Sequence, residues 1–185
     1  MRVFIGIRIP DYIKERISEV SRKLESKVRE ARIVSPVNLH ITLKFIGETA
    51  GEKLPELAEI LTESLENKAP FTAEVKGAGV FPDERSARVF WIGVNSLGNL
   101  KKLNSVLETA LAREGISKEE NRFKEHITIA RFKSTPNNAF LKELLEKYGG
   151  AVFGKMEIKE VELIKSGLGR SGPVYTTLNK TPLKM

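Results

Sequence analysis

One tetrapeptide pattern occurs twice in this chain of 185 residues and constrains what the chain can fold into. His40-Ile41-Thr42-Leu43 and His126-Ile127-Thr128-Ile129 both read histidine, apolar residue, threonine, apolar residue, and they lie 86 residues apart. The same spacing relates a strand-like run that begins at Arg2 to another that begins at Arg88. A fixed spacing between similar segments is typical of an internal repeat.

The elements around each motif follow one order: strand, helix, strand, helix, strand. Apolar residues at helical spacing predict helices over 11–30 and 97–115, and one further amphipathic helix after each histidine motif. Strand-like runs follow near Phe71–Val80 and Met156–Ser166. We interpret this regularity as an internal duplication.

The duplication predicts an α+β fold with two lobes and a central cleft between them. Each lobe is expected to be a small, largely antiparallel sheet with two helices on its outer side. The repeat covers roughly residues 1–83 and 87–169, and a closing strand is expected over 172–180. The length of the chain suits one such domain, over 1–185.

Composition excludes several classes of protein. There are no cysteines, which excludes disulfides and thiolate chemistry, and no apolar run is long enough to span a membrane. Because we recognise no signal peptide, we expect a cytoplasmic protein. The 31 Lys+Arg against 24 Asp+Glu leave a net charge of +7, which favours an anionic partner. Glutamine is absent and Glu and Lys dominate the charges, a bias typical of proteins from hot environments.

Alternation along a strand predicts which residues of the first motif share a face. His40, Thr42 and Lys44 are expected on the open face, since residues two apart point to the same side. The remaining side chains, expected in the core, are Leu39, Ile41, Leu43 and Phe45.

In the second motif, the same alternation places His126, Thr128 and Ala130 on the open face. Arg131 is then expected on the opposite face from His126. If the two halves face each other, two imidazoles and two hydroxyls meet in one cleft.

This set of side chains suits phosphodiester chemistry. A neutral imidazole can accept a proton from the attacking hydroxyl while an imidazolium protonates the leaving oxygen. Threonine hydroxyls can hydrogen-bond the other phosphate oxygens. A single His-x-Thr is more often a structural strand histidine, but two matched copies that use both histidines of the chain favour a site. We expect no cofactor and no metal, because two histidines and two aspartates show no ligand spacing.

Several segments resemble the two-histidine phosphoesterase superfamily, and within it the RNA 2′,3′-cyclic phosphodiesterase family, also called 2′-5′ RNA ligases or LigT-like proteins. The resemblance covers nearly the whole chain. It rests on both histidine motifs with their flanks, at 38–48 and 122–131. It also rests on the first strand at 2–10, a central hairpin at 79–94 and a glycine-rich C-terminal signature at 166–175.

The resemblance implies hydrolysis of 2′,3′-cyclic phosphate ends of RNA to 2′-phosphomonoesters. It implies His40 as proton donor, His126 as proton acceptor, and Thr42 and Thr128 as phosphate ligands. In the reverse sense, related chemistry joins a 5′-hydroxyl to a cyclic phosphate in a 2′-5′ linkage. RNA with cyclic phosphate ends is the implied partner, and we expect a monomer.

Four further residues are candidate substrate contacts: Lys44, Arg131, Arg170 and Tyr175. Members of the family often have proline before each histidine, where this chain has Leu39 and Glu125. A negative Glu125 is expected to raise the pKa of His126.

Two other functions stay open at this point. One is a non-catalytic module that binds RNA ends, and the other is a cyclic phosphodiesterase for small nucleotides such as ADP-ribose cyclic phosphate.

Overall fold

The computed structural model describes residues 1–169 and 172–185. The α+β class is confirmed, and every strand pair among these residues is antiparallel. The elements in chain order are β1 (Arg2–Arg8), α1 (Asp11–Lys27), β2 (Ala31–Ile33), β3 (His40–Glu48), α2 (Leu54–Leu65), β4 (Phe71–Phe81), β5 (Val89–Asn95), α3 (Asn99–Arg113), β6 (His126–Phe132), α4 (Asn138–Tyr148), β7 (Val152–Ile158), β8 (Glu160–Gly169) and β9 (Gly172–Pro182).

The helices form where apolar residues recur at helical spacing. In α1, Ile13, Ile17, Val20 and Leu24 are fully buried and form one stripe, as the periodicity predicts. Helix α4 begins after Asn137, whose side-chain oxygen accepts hydrogen bonds from two free backbone amides of the first turn. The strand predicted near Met156–Ser166 is two strands, β7 and β8, which are separated at Lys159.

The strands form one sheet in the order β7-β4-β5-β6-β3-β1-β8-β9, and the short β2 pairs with β6. The two histidine strands are adjacent at its centre, where β3 and β6 share a single residue pair, Ile41 with Ile127. The two predicted sheets are therefore joined at the strands that carry the motifs, and the division into two lobes stays a prediction.

Segments from the two halves of the sequence are interleaved in space. Strand β4 pairs with β5, and β8 pairs with β1, so the last strand of each half adds to the first strand of the other. Helix α1 contacts β7, and Glu19 on α1 accepts hydrogen bonds from Lys147 and Tyr148 on α4. Helix α2 contacts α3 and β9. Each end of the sheet is thus covered by one helix from each half.

The cross-strand pairs also refine the spacing of the repeat. Arg8 lies opposite His40, and Gly93 lies opposite His126. The first strands of the two halves therefore correspond at a spacing of 85 residues, one fewer than the histidine motifs.

Among the described residues, no helix combines the length and the apolar character that crossing a membrane requires.

Candidate active site

Each histidine strand has an extra residue directly after the threonine, and β3 has a second one farther on, at Ile46. In β3, Thr42 pairs with Gly6 and Lys44 with Ile5, so Leu43 has no partner of its own. In β6, Thr128 pairs with Trp91 and Ala130 with Phe90, so Ile129 is the extra residue. Such a β-bulge inverts the alternation of side chains beyond it. The bulges that follow the two threonines lie 86 residues apart, at equivalent places in the repeat.

The bulge in β3 moves Lys44 from the open face into the interior. Its side chain is only 1% exposed, and its ammonium lies 2.9 Å from Glu108 Oε1 on α3. The same nitrogen donates to the Ser117 carbonyl at 2.7 Å. The prediction that Lys44 contacts substrate is therefore wrong: the lysine is half of a buried ion pair that joins β3 to α3.

The same inversion places two unexpected side chains on the face of the histidines. Phe45, predicted in the core, is 56% exposed, and Arg131, predicted opposite His126, is exposed as well. Ala130, predicted on the open face, is fully buried. Phe45 and Arg131 hold equivalent positions beyond the two bulges.

A cleft of about 650 Å³ lies along this face. Six of the residues that line it come from the two histidine strands: Thr42, Leu43, Phe45, His126, Thr128 and Arg131. The loop over 119–124 and the end of the β4–β5 hairpin complete the lining. The cleft thus brings together four predicted site residues from both halves of the sequence, Thr42, His126, Thr128 and Arg131, whereas His40 lies on the same strand as Thr42 but is not among the lining residues.

The two imidazoles are held in the same way. Nδ1 of His40 lies 2.6 Å from the Asn38 carbonyl, and Nδ1 of His126 lies 2.7 Å from the Lys124 carbonyl. A carbonyl only accepts hydrogen bonds, so each Nδ1 must carry the proton. Each Nε2 is consequently the nitrogen that gains or loses a proton.

Aromatic side chains fix the ring of each histidine. The His40 ring lies 4.8 Å from the ring of Phe4 and 5.2 Å, edge-on, from that of Tyr175. The His126 ring lies 5.0 Å, edge-on, from Phe81 and 6.4 Å from Trp91. These contacts leave each imidazole little freedom to rotate. Tyr175, a candidate substrate contact, thus lies beside His40.

Burial lowers the pKa of both histidines. Removal from water penalises the imidazolium form of His40 and of His126, and the positive charge of Arg131 lowers both pKa values further. The Coulomb repulsion of His126 also lowers the pKa of His40. The expectation that Glu125 raises the pKa of His126 is wrong: its carboxylate instead accepts a hydrogen bond from the Ser96 hydroxyl at 2.8 Å.

Two positioning residues were not predicted from the sequence. The Asn38 amide, in a residue only 6% exposed, donates to the Pro173 carbonyl at 2.7 Å and so ties β9 to the His40 loop. The Lys124 ammonium lies 4.2 Å from the centre of the Trp91 ring, a cation–π contact. Both residues stand two positions before a histidine, which is the signal that identifies them.

The remaining candidate contact, Arg170, lies outside the described residues. The site as described combines two imidazoles that each present Nε2, two threonines and a guanidinium on one face of the sheet. This set is equipped for proton transfer in both directions at a bound anion.

Comparison with known proteins shows the family of this chain. The model of the 2′-5′ RNA ligase superfamily matches residues 9–170. The chain is 36% identical to an RNA 2′,3′-cyclic phosphodiesterase of Archaeoglobus fulgidus, over 96% of this chain and 98% of that one. It is also 36% identical to the protein of the same name from Methanocaldococcus jannaschii, over 97% of this chain and 99% of that one.

Solved structures agree as well. A crystal structure from Thermus thermophilus superposes with a TM-score of 0.83 at 29% identity and covers 99% of this chain and 98% of its own. Escherichia coli LigT in complex with 3′-AMP superposes with a TM-score of 0.78 at 27% identity, over 100% of this chain and 98% of LigT. The chain therefore belongs to the 2′-5′ RNA ligase superfamily.

Proposed function

We propose that this protein hydrolyses 2′,3′-cyclic phosphate ends of RNA to 2′-phosphomonoesters by general acid–base catalysis with its two histidines. The observation that carries the proposal is the matched pair of imidazoles on one face, each with Nδ1 bonded to a carbonyl and Nε2 left for proton transfer. The names of the relatives support the choice of RNA and of the cyclic phosphate.

The reaction needs one base and one acid. Nε2 of neutral His126 accepts a proton from water, and the water oxygen attacks phosphorus opposite the leaving oxygen. The bond from phosphorus to O3′ breaks, and Nε2 of protonated His40 gives its proton to O3′. The phosphate stays on O2′, and solvent returns both histidines to their starting states. With a 5′-hydroxyl in place of water, the same steps give a 2′-5′ linkage.

Three side chains are proposed to hold the phosphate during this step. Thr42 and Thr128 line the cleft beside the histidines, and their hydroxyls can donate to the two non-bridging oxygens. Arg131 adds a positive charge close enough to lower the pKa of both imidazoles. Its guanidinium opposes the negative charge that grows at phosphorus in the transition state.

The product of one defined substrate tests the proposal. An oligoribonucleotide that ends in 2′,3′-cyclic phosphate is incubated with the protein in the presence of a chelator, and the new end is identified by chromatography. We expect only the 2′-phosphate, at an undiminished rate. A 3′-phosphate, a requirement for added metal, or binding of the RNA without turnover would each contradict the proposal.

The pH dependence of kcat/KM tests the role of Arg131. Burial lowers the pKa of both histidines. The alkaline limb of the kcat/KM profile, along which the acid His40 loses its proton, is therefore expected below about pH 6.5. Arg131→Met removes a charge that disfavours imidazolium, so the limb should move to higher pH while kcat/KM at its maximum falls. Arg113→Met, an exposed arginine at the end of α3, is the matched control. A limb that stays in place or moves to lower pH would contradict this role.

A further inference from the structure

A second cavity adjoins the cleft. It has a volume of about 530 Å³ and shares Arg122, Phe123 and Lys124 with the cleft. Lys76 on β4 and Lys101 on α3 line this second cavity and not the cleft. We call it the lysine groove.

The lysine groove begins directly beside the site. Gly93 lines it and is the cross-strand partner of His126, so the two Cα atoms are about 5 Å apart. Trp91, whose ring lies near the His126 ring, lines it as well. A chain bound in the cleft can therefore continue into the groove without leaving the surface of the sheet.

Four cations give the groove a strong positive potential. Lys76, Lys101, Arg122 and Lys124 line it, and within residues 1–169 and 172–185 none of them forms an ion pair with a carboxylate. Among the described residues that line the groove, Glu125 is the only one with a carboxylate, and it is hydrogen-bonded to Ser96. A group of cations without carboxylate partners suits phosphate groups.

The groove also offers apolar surface. Trp91 and Phe123 lie among its cations. Cations beside aromatic side chains suit single-stranded RNA, in which phosphates alternate with sugars and bases. The volume falls in the range of sites that take small organic ligands, and is enough for one nucleotide.

We propose that the lysine groove binds the nucleotide next to the cyclic one, so that the protein acts on oligoribonucleotides in preference to cyclic mononucleotides. This inference rests on the proposed function, since it assigns the cleft to the cyclic nucleotide. Lys76 and Lys101 contact the phosphate backbone and do not touch the reacting phosphate. They contribute to binding of the RNA chain and not to proton transfer.

The test compares two substrates and three proteins. The substrates are a nucleoside 2′,3′-cyclic monophosphate and an octanucleotide with the same cyclic end. The proteins are the wild type, the Lys76→Ala/Lys101→Ala variant, and the control Lys102→Ala/Lys142→Ala. The control removes the same charge from exposed lysines outside the groove, one of them adjacent to Lys101 on α3.

For the wild type and the control, kcat/KM is expected to be at least about tenfold higher on the octanucleotide. In the Lys76→Ala/Lys101→Ala variant, this advantage should fall by about tenfold, with a weaker salt dependence, while the mononucleotide value stays within about twofold.

Equal kcat/KM on both substrates in the wild type would overturn the inference. It would also be overturned if the groove variant and the control lost the octanucleotide advantage to the same extent. A parallel loss on both substrates in the groove variant would also overturn it. Failure to turn over either substrate would instead contradict the proposed function, so the two failures are distinguishable.

Discussion

Replacement of either histidine is expected to lower kcat by at least about 10²-fold while the protein stays folded. His126→Asn sharpens this prediction. Its amide can donate to the Lys124 carbonyl as Nδ1 does, but it has no nitrogen at the position of Nε2. His126→Asn should therefore lose as much activity as His126→Ala, and His40→Asn should behave in the same way. Steady-state kinetics on the octanucleotide that ends in a 2′,3′-cyclic phosphate measure the loss of activity. Far-UV circular dichroism shows whether each variant stays folded.

Two further measurements separate proton transfer from packing. The double variant His40→Ala/His126→Ala should be little slower than either single variant, because the two groups act as a unit. Lys142→Ala, on an exposed face of α4, should retain full activity. Full activity in either asparagine variant would refute the acid–base mechanism, because the hydrogen bond alone would then suffice.

Removal of the Lys44 ammonium is expected to destabilise the protein by about 3–5 kcal/mol, because it leaves a buried charge without its partner. In Lys44→Met the apolar stem is kept, but the Glu108 carboxylate loses its cation and keeps only the Glu119 amide as a donor, while the Ser117 carbonyl loses the ammonium donor. Denaturant unfolding measures the loss. At temperatures where the variant is folded, kcat should stay close to that of the wild type.

The double variant Lys44→Met/Glu108→Met tests whether the loss of stability comes from the unpaired charge of Glu108. Removing both partners should restore most of the lost stability, since apolar groups of similar size tolerate burial. Lys102→Ala is the surface control and should change the free energy of unfolding little. If Lys44 instead faced the cleft, Lys44→Met would slow the reaction and leave stability nearly unchanged.

The sequence predicted the site more fully than it predicted the surroundings of the site. The repeat of His40-x-Thr42 at His126-x-Thr128 identified four side chains that all precede the bulges, and three of them, Thr42, His126 and Thr128, line the cleft. Lys44, Phe45, Ala130 and Arg131 were assigned to the wrong faces, because all four follow a bulge. Leu43 and Ile129 are apolar and buried, so nothing in their chemistry marks them as extra residues.

The positions of helices and strands in the sequence also followed from local patterns, whereas the pairing of the strands in the sheet did not. Helical spacing of buried side chains is a property of a short segment, and it predicted α1 and α3 to within a few residues. The exchange of β4 and β8 between the two halves depends on contacts between residues far apart in the chain. No local pattern reports such contacts.

By itself, the sequence determined the residues on which the proposed chemistry rests: two histidines in matched motifs, two threonines and a positive balance of charge. Only the tertiary structure decided which side chains accompany them. Register in a sheet is set by hydrogen bonds between strands, and one unpaired residue reverses the side chains that follow it, up to the next irregularity. For this reason Arg131 lines the cleft with His126, while Lys44, one residue beyond the bulge in β3, is buried against Glu108.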